Sequence, residues 1–99
     1  MDLILKKLIS FPTISQTSNK EMVTFIDSYL KKFNLKGNLV QGEKNQFNYH
    51  CVLGPKKDGG IIFSGHTDVV PTEGQNWNTD PFELVKKKNR YYGRGTCDM

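Results

Sequence analysis

The residues whose types are best suited to chemistry lie in the segment 64–71, which reads SGHTDVVP. His66 can offer one ring nitrogen to a metal ion, and Asp68, two residues further on, can hold the other ring nitrogen and so fix its tautomer. The His-x-Asp pattern is weak evidence by itself, because a lone histidine at the end of a strand is more often only a polar terminus. His66 and Asp68 are therefore candidate site residues whose meaning depends on their surroundings.

The element that must position these residues is the short apolar run 61–63, which reads IIF. Apolar residues without alternation are typical of a strand that is covered on both faces inside an α/β sheet. In open α/β sheets, ligands bind beyond the carboxyl ends of the strands. This reading places His66 and Asp68 at the ligand-binding edge of a sheet.

Two helices are predicted before that strand. The first runs from Asp2 to about Ser10 and stops at Phe11-Pro12, since the residue before a proline is pushed away from helical dihedrals. The second begins at a capping box formed by Ser18 and Glu21. Asn34 and Gly37 predict its end. Its apolar residues recur at helical spacing and predict a core-packing face, formed by Met22, Phe25, Ile26, Tyr29, Leu30 and Phe33.

The second half of the chain predicts short strands and turns. Apolar and polar residues alternate over 47–53, which indicates a strand with one face more buried than the other. A turn follows over 54–60, and residues 71–80 read as a loop. Two further short strands, 82–85 and 91–92, are predicted on either side of 86–90.

Composition excludes several classes of function. The hydrophobic share of 36% and charged share of 24% describe a soluble globular protein, with no apolar run near the ~20 residues that span a bilayer. The net charge of +4 comes from scattered lysine pairs and one triplet, not from a basic face, so nucleic-acid binding is not expected. Two distant cysteines make no disulfide framework, and we expect a cytoplasmic protein with no membrane partner.

Three stretches of the sequence carry a resemblance to a known family: GHTDVVP at 65–71, Trp77 with Asp80-Pro81-Phe82, and YGRGTCDM at 92–99. On these residues the chain resembles the M20 family of zinc-dependent amidohydrolases. Members of that family carry a Gly-His-x-Asp-Val-Val-Pro motif followed by Gly-Arg-Gly-x-x-Asp-Met-Lys-Gly. Further similarity at 11–13, 18–19, 54–60 and 74–77 is closest to the branch that deacetylates acetylornithine.

The resemblance implies an α/β fold, namely the N-terminal part of a three-layer α/β/α zinc-peptidase-like catalytic domain over 1–99, truncated before the rest of that domain and a lid and dimerisation domain. It implies that His66 ligates one zinc, that Asp68 acts in catalysis by orienting His66, and that Asp98 bridges two zincs. Cobalt could replace zinc. Two such metals can polarise an amide carbonyl and generate hydroxide near neutral pH.

The activity implied for the parent enzyme is hydrolysis of the acetyl amide of N2-acetyl-L-ornithine in arginine biosynthesis, by a homodimer that binds a small N-acylated amino acid. Succinyl-diaminopimelate desuccinylase or another M20 amidohydrolase or peptidase remains open, as does a non-catalytic interaction module. A zinc site generally needs three protein ligands, and His66 and Asp98 are two. The 99-residue chain alone is therefore expected to be inactive.

Other tempting residues carry weaker hypotheses. His50 is expected to be an ordinary surface or packing histidine, and Cys51 a buried apolar cysteine. Cys97 adjoins Asp98, but neighbours on an extended segment point in opposite directions, so zinc ligation by Cys97 is not expected. Arg94 is expected to pair with a carboxylate, in a structural ion pair or in a substrate contact, and Trp77 to pack its loop or line the substrate entrance.

Overall fold

The computed structural model describes residues 2–55 and 57–99, and its two helices lie near the predicted places. Helix α1 spans Asp2–Ile9 and helix α2 spans Lys20–Lys31. After α1, the backbone N–H of Ser10 still bonds the carbonyls of Lys6 and Lys7, and the chain then turns away at Phe11 and Pro12. Neither helix among the described residues is long and apolar enough to cross a bilayer.

The start of α2 differs from the predicted capping box. The N-cap is Asn19, and its side chain makes no capping hydrogen bond. Ser18 is bonded instead to the carbonyl of Asn45 at 2.9 Å, and it accepts from the N–H of Lys20 at a long 3.3 Å. The capping box is therefore wrong, because tertiary partners compete for the side chains that the local pattern assigns to the helix start.

Helix α2 supplies the largest part of the small core. Met22 and Val23 are buried on its inner face, together with Asp27. A row of tilted aromatic contacts runs along the predicted stripe, with ring centroids 5.7, 6.3 and 5.3 Å apart through Phe11, Phe25, Tyr29 and Phe33. The helix ends at Lys31 with Lys32 as its C-cap, and a turn then leads to Asn34, whose φ of 58° is left-handed. The helix therefore ends earlier than the predicted stop at Asn34 and Gly37.

An antiparallel hairpin follows, formed by β1 (Gly37–Gln41) and β2 (Phe47–Cys51). Burial alternates along β2, as predicted, although the strand ends at Cys51 before the expected Leu53. Strand β1 has no apolar pattern of its own and was not predicted. Gly37 lies under the ring of Tyr49, where any Cβ would overlap that ring, so glycine is required there.

A second antiparallel hairpin joins β3 (Val85–Lys87) to β4 (Arg90–Tyr92). Two strands were predicted here, and the first lies three residues later than expected, so part of the lysine triplet is in the strand. The hairpin is tied to α1 through Asp2, which accepts from the Tyr91 hydroxyl at 2.7 Å and pairs with Lys86 at 3.2 Å.

The predicted central strand is not present in this structure. Residues Ile61, Ile62 and Phe63 form no strand, and their side chains are 83%, 91% and 94% exposed. Across the described residues, the β-structure consists of the two hairpins and an isolated parallel bridge between Ile14 and Val69. A strand covered on both faces needs neighbouring strands and helical layers, and the elements present pack elsewhere. The structure is thus a mixed α and β fragment without the three-layer arrangement.

Candidate metal centre

The segment that carries His66 and Asp68 is held by the loop between the two helices. Ile14 and Val69 form the parallel bridge, in which the N–H of Ser15 bonds the carbonyl of Val69 and the N–H of Val69 bonds the carbonyl of Thr13, both at 2.9 Å. The buried hydroxyl of Thr13 donates to the carbonyl of Thr67 at 2.5 Å. Residues 67–69 are therefore fixed by the 13–15 segment rather than by a preceding strand.

Asn19 strengthens the same attachment. Its side-chain amide exchanges two hydrogen bonds with the backbone of Phe47, at 2.8 and 2.9 Å, and its Nδ2 also donates to the hydroxyl of Thr67 at 2.9 Å. One side chain thus links the start of α2, the β1–β2 hairpin and the segment next to His66. These hydrogen bonds explain why an asparagine lies at the N-cap of α2 although its side chain makes no capping bond to the helix.

The imidazole of His66 is held on one side by Asp68. Its Nδ1 lies 3.0 Å from the backbone carbonyl of Asp68 and 3.2 Å from the Oδ1 of the same residue. Both partners are acceptors, so a neutral ring carries its proton on Nδ1 and a lone pair on Nε2. This is the tautomer that presents Nε2 to a metal ion.

The free nitrogen of His66 faces Asp98. The Nε2 of His66 and the Oδ1 of Asp98 are 3.6 Å apart, which is beyond hydrogen-bond distance. Two ligands of one tetrahedral zinc, at bond lengths of about 2.0–2.2 Å, lie about 3.4 Å apart. Nitrogen and carboxylate oxygen are also donors that zinc accepts, so this pair fits a shared zinc ion.

The electrostatics favour a positive charge on the His66 ring and a negative charge on Asp68. The pKa of His66 is raised above its ordinary 6.5, first because the backbone carbonyl of Asp68 accepts from the ring and then, against a desolvation cost, because Asp98 and Asp68 are negative. The pKa of Asp68 is lowered from 3.8, first by the hydroxyl of Ser15, which donates to its Oδ2 at 2.8 Å, and then, against desolvation, by His66. Both shifts stabilise the charged forms of the two groups.

Asp98 lies on a tight loop that begins at Gly93. The φ of Gly93 is 156°, and a Cβ there would come within 3.0 Å of the side chain of Ile9, so the position favours glycine. Within this loop, the N–H of Arg94 bonds the carbonyl of Pro81 at 2.6 Å, and the hydroxyl of Thr96 bonds the carbonyl of Gly93 at 2.9 Å. This loop, which follows β4, brings Asp98 to within 3.6 Å of His66, which precedes the β3–β4 hairpin in the chain.

Within the described ranges, Arg94 does not form the structural ion pair that was one of its two expected contacts. Its guanidinium lies over the ring of Trp77, 5.0 Å from the centroid, and its Nη2 donates to Gln75 Oε1 and, at 3.4 Å, to the carbonyl of Pro71. No acidic group among the described residues lies within ion-pair distance of it. Arg94 and Trp77 therefore clamp the 71–77 loop onto the loop that carries Asp98.

These residues line one cleft of about 400 Å³, whose walls include Ser15, His66, Trp77, Arg94 and Asp98. Cys97 also lines the cleft and is exposed, whereas His50 is exposed on the outer face of β2, as expected for a surface histidine. Over residues 2–55 and 57–99, no three His, Cys, Asp or Glu side chains gather in a way that could hold a metal ion. The described chain thus offers a candidate half-site of two groups, His66 and Asp98.

Sequence reasoning missed the residues that hold this half-site, namely Thr13, Ser15 and Asn19. Each lies in a loop or at a helix end, where hydroxyl and amide side chains are common for purely local reasons. Their distant partners at 67–69 become visible only once the Ile14–Val69 bridge is known. No spacing rule connects residues about 54 positions apart.

Residues 62–99, which include His66, Asp68 and Asp98, match peptidase family M20/M25/M40. Over those residues the chain is similar to the M20 family, to which the motifs at 65–71 and 92–99 pointed. It is 40% identical over 103 residues to an acetylornithine deacetylase of Buchnera aphidicola subsp. Schizaphis graminum (strain Sg), and 36% identical over 104 residues to one of Shigella sonnei (strain Ss046). Each alignment covers 97% of this chain and 27% of the relative, so the chain spans about a quarter of the length of these curated relatives.

Proposed function

We propose that the protein carrying this chain hydrolyses the acetyl amide of N2-acetyl-L-ornithine at a two-zinc centre. One water molecule is consumed: the C–N bond breaks, the acetyl carbon gains the oxygen to leave as acetate, and the nitrogen gains hydrogen to leave as ornithine. The similarity to two acetylornithine deacetylases supports the choice of substrate. The observation that carries the chemistry is the 3.6 Å approach of His66 Nε2 to Asp98 Oδ1 inside the cleft.

In this proposal, His66 would ligate one zinc through Nε2, the Asp98 carboxylate would serve both ions, and Asp68 would orient His66. When bound, two zinc ions polarise the amide carbonyl and supply hydroxide near neutral pH. Cobalt has the same donor preference closely enough to be an alternative metal. The residues of this chain hold the ring, fix its proton on Nδ1 and close one wall of the cleft.

The proposed centre needs more groups than His66 and Asp98 provide. A zinc site generally has at least three protein ligands, and amide hydrolysis also needs a general base within reach of the attacking water. We therefore expect the 99-residue chain alone to give no turnover above an Asp98→Ala control, and no two tight zinc sites in calorimetry. Either signal would mean that these 99 residues form a complete site.

The test of the proposed function uses the protein at its full natural length, expressed from its own gene with zinc. Release of ornithine from N2-acetylornithine is measured beside turnover of succinyl-diaminopimelate and of a dipeptide. We expect turnover of acetylornithine to be the fastest and to vanish in Asp98→Ala. Faster turnover of the succinylated substrate or of the peptide would replace acetylornithine deacetylation with another activity of the family.

The wider setting follows from the same proposal. The deacetylation would serve arginine biosynthesis in the cytoplasm, and the complete protein would act as a homodimer on a small N-acylated amino acid. Sedimentation of the full-length protein measures the oligomer directly.

A further inference from the structure

We propose that Ser15 is a positioning residue of the candidate metal centre, because its hydroxyl fixes the Asp68 carboxylate in the orientation that supports His66. This inference rests on the proposed function in one respect only, namely that His66 serves as a metal ligand. No motif singles out Ser15, and it lies in the loop between α1 and α2, far from His66 in sequence.

The argument begins with the freedom of the Asp68 side chain. It is 53% exposed, so water can compete for both oxygens. Its contact with His66, 3.2 Å from Oδ1 to Nδ1, would by itself leave the carboxylate free to rotate. A second anchor on the other oxygen is needed to hold Oδ1 toward the ring.

Ser15 provides that anchor. Its Oγ donates to Oδ2 of Asp68 at 2.8 Å, a charge-assisted bond of normal length, while Oδ1 remains opposite Nδ1 of His66. The two oxygens thus have separate partners, which defines the plane of the carboxylate.

The hydroxyl of Ser15 is itself well placed. The backbone N–H of Ser15 bonds the carbonyl of Val69 at 2.9 Å, and the Oγ lies 3.3 Å from the same carbonyl. Because Val69 follows Asp68 directly, the donor and the carboxylate are fixed to the same short piece of backbone. The backbone of Ser15 cannot move away from Asp68 without breaking the bridge.

The consequence for His66 concerns the quality of its second hydrogen bond. With Asp68 fixed, Nδ1–H is shared between a neutral carbonyl and a carboxylate, and the carboxylate makes the ring a stronger metal ligand. Without the Ser15 hydroxyl, the carboxylate can turn to water and the neutral carbonyl remains. Loss of such an outer partner weakens metal binding by about 10–100-fold, and we expect about 10-fold here because the carbonyl stays.

The first test is a metal-free double-mutant cycle on the 99-residue chain, labelled with 15N at histidine. The ring nitrogen shifts of His66 are recorded at a pH where the ring is neutral, with His50→Gln used to identify the second histidine. We expect Ser15→Ala and Asp68→Asn to shift the Nδ1 signal in the same direction. Because both changes remove the same contact, the double variant should shift no further than Asp68→Asn.

Two variants separate positioning from general structure. Ser15→Thr keeps the hydroxyl and should retain the wild-type shifts, which also covers the case in which Ser15→Ala folds poorly. Ser18→Ala removes a hydroxyl of the same loop that bonds the carbonyl of Asn45 and does not touch Asp68, so it should leave the His66 shifts unchanged. Unchanged shifts in Ser15→Ala, additive shifts in the double variant, or an equal shift in Ser18→Ala would each overturn the proposal.

The second test uses the full-length protein and Zn²⁺ itself, in competition with a chromophoric chelator. Ser15→Ala should weaken zinc binding about 10-fold in the wild-type background and hardly at all in Asp68→Asn. An equal loss in both backgrounds would contradict the proposal. These readouts need no substrate, so failure of acetylornithine turnover with the coupling intact would remove the proposed function and leave the role of Ser15 standing.

Discussion

His66 and Asp98 define the candidate site at the scale of single residues, because in the neutral ring the Nε2 lone pair of His66 faces a carboxylate oxygen of Asp98. Two electron-rich groups 3.6 Å apart repel one another unless a cation lies nearby. Protonation of His66 supplies one such cation, and a metal ion supplies another. The same geometry therefore predicts both a raised pKa and an affinity for zinc.

The pKa of His66 in the metal-free chain is expected to exceed its ordinary value of 6.5. A folded-state pKa above the unfolded one stabilises the fold fully below the unfolded pKa, and this contribution is lost as the pH rises through the folded pKa. Asp98→Asn removes one source of the shift and should lower the midpoint measured by NMR titration of the ring. A midpoint below 6.5, or one that Asp98→Asn does not lower, would contradict the close approach of the two groups.

Metal content should follow a definite order among variants of the full-length protein. Asp98→Ala should lose activity entirely because one carboxylate serves two ions, and His66→Ala should lose or severely weaken one zinc. Asp68→Asn should be milder, within the ~10–100-fold typical of outer partners. Metal analysis and kinetics on the same preparations check the order, and two zincs with full activity in Asp98→Ala would exclude bridging.

At the scale of elements, the site depends on the attachment of one loop to another. The loop between α1 and α2 holds residues 67–69 through the Ile14–Val69 bridge and the side chains of Thr13 and Asn19. Helix α2 is in turn fixed to β2 through Asp27, which accepts from the hydroxyl of Tyr49 at 3.1 Å and pairs with Lys31 at 2.6 Å. The packing of α2 against the β1–β2 hairpin therefore supports the α1–α2 loop, which in turn holds residues 67–69 beside His66.

Asp27→Asn is expected to lower the resistance of the chain to denaturant at neutral pH. The pKa of Asp27 is lowered from 3.8, mainly because Lys31 donates a hydrogen bond to its carboxylate. Partial desolvation raises the pKa and opposes this effect, and the hydrogen bond from the Tyr49 hydroxyl lowers it further. A lowered folded-state pKa gives stability that is present above the unfolded pKa and lost as the pH falls through the folded one. The difference from wild type should accordingly shrink in acid, as measured by urea unfolding at several pH values.

Glu21→Gln is the matched control for that experiment, since Glu21 is an exposed acid of the same helix with no ion pair in the described structure. It should change the midpoint little at any pH. An equal loss in both variants would show that the charge of α2, rather than the Asp27 contacts, sets the stability.

The sequence predicted the elements whose signals are local. The apolar stripe of α2 and the alternation along β2 depend on neighbours within a few residues, and both are found. The end of α2 was predicted too late, because the helix stops at Lys31, before the left-handed Asn34. The capping box failed because Asn45 and Phe47 bind the side chains at the start of α2. Strand β1 carried no periodic signal, since its pairing is decided by β2.

In the candidate site, too, the residues marked by local motifs were predicted and their distant partners were not. The motifs around His66 and Asp98 pointed to both residues, and the structure brings them together. The partners that hold them, such as Thr13 and Ser15, come from a loop that no pattern connects to 67–69. Burial was the least predictable property: the run 61–63 reads as doubly covered, but its cover is a property of the surrounding fold and not of three residues.

At the scale of the whole molecule, the chain leaves much apolar surface exposed. Leu53, Ile61, Ile62 and Phe63 are all more than 80% exposed, and the buried apolar core is Ile9, Met22 and Val23 among the described residues. Extended apolar segments with unpaired backbone groups are prone to pair with other chains. The non-catalytic interaction module left open by the sequence would use this same surface.

We expect the isolated 99-residue chain to associate with increasing concentration in light scattering, and Ile62→Lys to reduce that association. Ile62 is 91% exposed, so the substitution removes no packing and should leave the melting temperature within about 2 °C. Leu3→Lys, at an equally exposed site on α1, is the control and should have a smaller effect on association. A chain that stays monomeric at high concentration would contradict this expectation.

Anomalous diffraction at the zinc edge, from crystals of the full-length protein, measures whether His66 and Asp98 bind zinc together as proposed. We expect two anomalous peaks, with Nε2 of His66 bonded to one ion, the Asp98 carboxylate bonded to both, and Nδ1 of His66 still held by Asp68. Zinc bound elsewhere, or a His66 ring whose Nε2 carries a hydrogen bond instead of a metal, would contradict that proposal.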